Sequence, residues 1–148
     1  IRDSSGLYPG IAEEAWMSLV HRQPLYLAAA FGGAADAVRA ALEGDARLLN
    51  ESLESVPNRE QVIDLAQQRG IQVVAPNSDV DLAELDFAGR LVSSDKMVAD
   101  LANLGSQGIA TALNNGLSGD ENQELFRCTQ APRISELILK GLSRVGGP

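Results

Sequence analysis

Residues 24–35, Pro-Leu-Tyr-Leu-Ala-Ala-Ala-Phe-Gly-Gly-Ala-Ala, constrain the fold more than any other stretch of the chain. A proline opens a short apolar run that shows little alternation, two glycines interrupt it, and an Ala-rich segment follows. The pattern predicts a buried strand over 25–30, a Gly-Gly turn and a helix over about 34–42. A strand without alternation has both faces covered, the habit of a parallel sheet between helices. In open α/β proteins such a junction binds phosphates: glycines let the backbone come close, and the free N–H groups of the helix face the anion. Phe31, Gly32, Gly33 and Asp36 are therefore a candidate ligand cradle, with Asp36 placed to accept a ribose hydroxyl or to complement the helix dipole. The same residues also suit a plain tight turn with glycines chosen for packing, and both readings stay open at this point.

The chain has 148 residues, about one domain, and a hydrophobic fraction of 45% suits a folded core rather than disorder. Aromatics are scarce, so the core is expected to be Leu, Val, Ile and Ala. A net charge of -8 with no basic patch argues against nucleic acid and anionic membranes as partners. It does not exclude a small anion held by local N–H groups. Cys128 is the only cysteine, which rules out an internal disulfide framework and fits a reducing, cytoplasmic compartment. No apolar run reaches the length of a membrane span.

Along the chain, residues 1–10 read as a Gly- and Pro-punctuated loop, then a helix with Ile11, Ala12, Ala15, Trp16, Leu19 and Val20 on its inner face. Gly44 suits a C-terminal cap for the Ala-rich helix, and a short helical turn is expected near Leu48 and Leu49. Asn58 and Gln61 have capping-box spacing for a helix ending at Gly70, and residues 71–75 read as a strand or as a loop between helices. Residues 79–90 are acidic and loop-like. Met97, Val98, Leu101 and Leu104 give the inner face of a further helix, with Gly105 separating it from a short apolar segment at 109–113. Ser118 with Glu121 is a second capping-box match, and Pro132 suits the first turn of a last helix whose inner stripe is Ile134, Leu137, Ile138 and Leu142. Many helices and one or two strands make a poor sheet, since a buried parallel strand needs neighbours on both sides. With Ile1 as first residue, the expectation is that 1–148 is the C-terminal portion of one domain whose earlier strands lie elsewhere.

A second constellation spans residues 6–14, Gly-Leu-Tyr-Pro-Gly-Ile-Ala-Glu-Glu. A Gly-Pro loop running into a helix with acidic residues at its start can bind a nucleotide and aim a carboxylate at a ribose. Glu13 or Glu14 could hold hydroxyls, act as a nucleophile or stabilise an oxocarbenium-like centre. Either one alone also suits an ordinary acidic helix start. His21, the only histidine, reads as a solvated partner for a helix end, and one histidine with one cysteine argues against a zinc site. Cys128 reads as packing. Asp79, Asp81, Glu84 and Asp86 lack the spacing of a calcium loop.

Two stretches together resemble the SLOG superfamily, specifically the bacterial branch found beside TIR and other effector modules in antiphage defence. They are residues 8–15 with 23–27 and 31–34, and residues 115–126 with a final helix ending Leu139-Lys-Gly-Leu142. The superfamily also includes Lonely Guy phosphoribohydrolases and the sensor regions of melastatin-type channels. The resemblance implies a Rossmann-like three-layer α/β fold with a mostly parallel sheet and a helix-rich C-terminal part. It implies a regulatory sensor rather than an enzyme, with no required cofactor and ADP-ribose, cyclic ADP-ribose or NAD as ligand. The implied partners are an effector such as TIR and further copies of the chain. Gly6, Tyr8, Pro9, Gly10 and Glu14 would then shape the ribose side, and Phe31, Gly32, Gly33 and Asp36 the phosphate side. The alternative is hydrolysis of an N-glycosidic bond in a nucleotide by Glu13 or Glu14. A third reading is an assembly module with a vestigial pocket, because Ala29 and Ala30 stand where the family has more glycine.

Overall fold

The computed structural model describes residues 10–49, 64, 67–70, 72–74, 90–92 and 94–145. These residues form mainly helices: α1 (Gly10–Val20), α2 (Gly33–Leu42), α3 (Ser94–Ser106), α4 (Ile109–Leu113), α5 (Gly119–Arg127) and α6 (Ala131–Val145). Short 3₁₀ turns occupy Ala29–Phe31 and Ala46–Leu49. One sheet is present among the described residues, the parallel pair β1 (Gln72–Val74) and β2 (Arg90–Val92), in register Gln72↔Arg90, Val73↔Leu91 and Val74↔Val92.

This overturns the expected Rossmann-like three-layer α/β fold. A ladder of two three-residue strands cannot form the middle layer of such a fold, and the core is built from helices packed on helices. The stretch at 25–30 is not a strand. Its first half joins no ladder and its end tightens into the 3₁₀ turn. The backbone groups of Leu25, which a neighbouring strand would have satisfied, meet the α4–α5 region instead. Leu25 N–H donates to the Leu113 carbonyl at 3.0 Å, and the Asn115 side-chain amide donates to the Leu25 carbonyl at 2.8 Å.

The main core gathers Ala12, Trp16 and Leu19 of α1, Val38 and Leu42 of α2, Met97 and Leu101 of α3, Leu113 and Phe126. Each fully buried leucine here contributes about 1.5–3 kcal/mol, so this cluster holds these helices against one another. Ile11 was expected on the inner face of α1 but is 66% exposed, because burial is centred on Ala12, Trp16 and Leu19 one step round the helix. Within the core, Lys96 and Asp100 of α3 form a buried ion pair at 2.5 Å, and Trp16 Nε1 donates to the other Asp100 oxygen at 3.2 Å. That bond ties α1 to α3 with a charged group, which stays buried only because it is paired.

A smaller cluster of Leu117, Leu125 and Leu137, flanked by Tyr26 and Ile134, seats α6. Gly141 makes the seat possible, since a Cβ there would stand 2.4 Å from the Asn115 carbonyl and 2.6 Å from the Tyr26 hydroxyl. Leu137 is buried as expected, whereas Leu142 is 48% exposed. The contact is centred on Leu137 and Gly141 and leaves Leu142 beyond its edge.

The capping box of α5 is present: Ser118 Oγ accepts from Glu121 N–H at 3.2 Å, and the Glu121 carboxylate accepts from Ser118 N–H at 2.8 Å. Gly44, at φ +87°, closes α2, and Gly70, at φ +68°, closes the turn that includes residues 67 and 68. Gly105 does not separate two segments, since α3 runs through it and the break falls at Gly108, where φ is +99°. The readings made for residues 1–9, 50–63, 75–89 and 146–148 lie outside the described residues.

Candidate functional site

Gly32 and Gly33 turn the chain from the 3₁₀ turn into α2. Their φ values are +74° and +69°, and Gly32 has ψ −155°, a region essentially reserved for glycine. No side chain caps α2, so the N–H groups of its first turn have no side-chain acceptor at the cap. Beside this end lies a cavity of about 540 Å³, within the usual range of small-molecule sites. Ala29, Ala30, Gly32 and Asp36 line one wall; Gln123, Phe126 and Arg127 of α5, with Thr129, line the other. Arg39 and Glu43 complete it from further along α2.

Polar bonds already link the two walls. Gln123 Nε2 donates to Glu43 at 2.8 Å, and Arg127 donates to the Gln123 side-chain oxygen Oε1 at 3.2 Å. Asp36 accepts from Arg39 Nε at 2.8 Å, and Arg39 also pairs with Glu43. Asp36 is thus committed to a neighbour on its own helix, and a ribose hydroxyl would have to compete with a guanidinium for it. An adjoining polar cavity of about 620 Å³ shares Gln123, Arg127 and Thr129 and extends past Cys128 to Arg133. Phe31 is 68% exposed and is on neither lining.

The residues singled out from sequence do not all converge. Gly6, Tyr8 and Pro9 lie outside the described residues. Gly10 opens α1. Glu14 lines a different groove of about 240 Å³, between α1, residues 25–27 and the start of α2. Glu13 is half-buried, and burial pushes its carboxyl up from its ordinary value. Gly32 and Asp36 therefore share a cavity, and Glu14 stands apart from them. Sequence reasoning missed Arg39, Gln123, Arg127 and Thr129. The cations lie on two helices more than eighty residues apart, and neither carries a local motif. The only available signal was that residues 115–126 and 31–34 entered the same resemblance.

Among the described residues, no group of three or more His, Cys, Asp or Glu side chains could hold a metal ion. Among the same residues, no helix is long and apolar enough to cross a membrane.

A family model described as SLOG cluster2 matches residues 1–125. The chain belongs to the SLOG family. Membership makes this a nucleotide-related domain. The matched part of the SLOG domain includes the Gly32-Gly33 turn, all of α2 and the capping box of α5. Arg127 and α6 lie beyond it. No curated protein and no solved structure matches the chain.

Proposed function

We propose that this SLOG domain is a regulatory sensor for an NAD-derived nucleotide, ADP-ribose or one of its cyclic isomers, in antiphage defence. The observation that carries the reading is the cavity at the start of α2. It combines an uncapped helix N-terminus, a Gly-Gly turn and two guanidinium groups, Arg39 and Arg127, in a chain that is otherwise strongly acidic. Diphosphate would sit against the first turn of α2 and Arg127, and the rest of the ligand would extend toward Thr129 and the adjoining polar cavity. The nucleotide controls an effector such as a TIR module through a change in assembly, which requires that it bind one assembly state better than another.

Isothermal calorimetry on the full-length protein with ADP-ribose, cyclic ADP-ribose and NAD tests this. A charge-assisted hydrogen bond is worth about 1.5–3 kcal/mol, so Arg127→Ala weakens binding by roughly tenfold to a hundredfold. Gly32→Val abolishes it through the backbone. Absence of binding to all three nucleotides by the folded protein refutes the proposal.

The burial of Glu13 favours one second reading, hydrolysis of a nucleotide N-glycosidic bond, because a carboxyl raised by burial suits general-acid work. Release of free base from NAD or a nucleoside monophosphate, lost in Glu13→Gln, would support it; no release refutes it.

A further inference from the structure

Five polar side chains follow one another along the cavity at the start of α2. Asp36 and Arg39 stand on α2 and Glu43 at its end, all three on the cavity wall. Arg39 pairs with Asp36 at 2.8 Å and also with Glu43. Gln123 and Arg127 stand one turn apart on α5, on the facing wall. Gln123 joins the two sets. Its Nε2 donates to Glu43 at 2.8 Å, and its Oε1 accepts from Arg127 at 3.2 Å.

The two cations in this chain of bonds are not equivalent. Arg39 lies between two carboxylates, which offset its charge. Arg127 donates to a neutral amide oxygen. A bond from a guanidinium to an oxyanion is stronger than one to an amide, so an anion entering the cavity draws on Arg127 first. That takes the guanidinium from Gln123. An amide side chain can donate and accept at once only when its two ends face the right partners, and here Glu43 and Arg127 fix them. Losing one partner loosens the hold on the other. Both bonds are exposed to solvent and therefore modest in strength, so a ligand can open them.

We propose that Gln123 is a latch that couples occupancy of the cavity to the seam between α2 and α5. A ligand phosphate draws Arg127 away, and Gln123 lets go of Glu43. The inference rests on the nucleotide reading and extends it from binding to the way binding is passed on. Gln123 is a positioning residue, since it acts on the ligand through Arg127. Its helix is also tied to the last one, because Glu121 of α5 pairs with Lys140 at 2.7 Å and Arg144 at 2.6 Å on α6.

The test uses the full chain with inorganic pyrophosphate and ADP-ribose as probes. Gln123→Leu removes the latch and no charge. In calorimetry it tightens binding of the probes by about two- to tenfold, because Arg127 no longer leaves a partner. Gln123→Glu weakens binding, since a carboxylate holds Arg127 more firmly. Disturbed packing alone would weaken binding in both variants. In NMR, the Gln123 side-chain amide signal, assigned by its absence in Gln123→Leu, shifts on saturation with either probe, and its protons exchange faster with solvent. Equal or weaker binding by Gln123→Leu overturns the inference. So does tighter binding by Gln123→Glu, or a Gln123 amide that bound ligand leaves undisturbed. In these cases the nucleotide reading stands. Absence of binding of both probes by the parent and the variants overturns that reading and the latch with it.

Discussion

Replacing Gly105 by alanine sets two effects of known sign against each other. Gly105 lies inside α3, where alanine is favoured over glycine by about 1 kcal/mol, and by less this close to the helix end. A Cβ at this position would stand 1.7 Å from the Leu42 carbonyl oxygen, 2.6 Å from its carbon and 2.9 Å from its Cα. Carbon–oxygen contacts settle near 3.3 Å, so α2 and α3 must separate by about 1.5 Å. All three obstructing atoms are backbone, so no side-chain rotation relieves them. Overpacking costs about 1–3 kcal/mol, and an overlap this large belongs at the upper end. Separation also loosens Leu42 and Leu101, which are 2% and 0% exposed. The packing loss exceeds the propensity gain, and the net effect is a destabilisation of about 2 kcal/mol. For a chain of this size that lowers Tm by roughly 4–8 °C. Thermal unfolding followed by far-UV circular dichroism measures it. Gly119→Ala is the control, because a Cβ there meets nothing within 4 Å and its effect stays within about 0.5 kcal/mol. A Gly105→Ala protein as stable as the parent, or more stable, would refute the close crossing of α2 and α3.

Asp100→Ala removes the buried carboxylate that Lys96 and Trp16 share and lowers unfolding stability by about 3–5 kcal/mol in urea titrations. Asp100→Asn, which keeps an acceptor for Trp16, loses less. Glu121 gives a pH test: hydrogen bonds from Arg144, Lys140 and Ser118 N–H hold its carboxyl well below the ordinary carboxylate range. Its contribution is therefore present above its unfolded value of 4.5 and is lost as pH falls from there through the lowered folded value. Tm measured from pH 6 downward falls in the parent, and the fall is shallower in Glu121→Gln. The contacts are at the surface, so added salt reduces the difference.

Elements whose cause is local were legible in the sequence. Ser118 and Glu121 are three residues apart, and their reciprocal bonds need nothing from the rest of the chain. The helical spacing of Ala12, Trp16 and Leu19, and of Met97 and Leu101, announced buried faces because period and burial have one cause. The failures share a cause too. An apolar run such as Leu25–Ala30 looks the same whether a strand or a side-chain amide meets its backbone, and at Leu25 the carbonyl is met by the Asn115 amide. Gly105 reads as a breaker in one dimension, whereas its role is to admit the Leu42 carbonyl. The candidate cavity was half legible. Glycines with obligatory positive φ leave a mark in sequence, but Arg39 and Arg127 become a pair only after α2 and α5 meet.

The seam between residues 22–26 and 113–115 governs the order in which the chain can fold. Asn114 donates to the Arg22 carbonyl at 2.6 Å across 92 residues, and Tyr26 donates to the Asn115 carbonyl at 2.8 Å across 89. Arg22 and Asn114 are also the two non-glycine residues with positive φ among those described, at +53° and +46°. Conformations that are unfavourable alone persist there only once the far end has arrived. Helices such as α2 and α5 can form within microseconds from neighbours in sequence, whereas this seam requires closure of most of the chain first. Folding therefore has a late step that joins the two halves. Residues 22–28, which lead into the turn at Gly32, take their shape only once residues 113–115 have reached them.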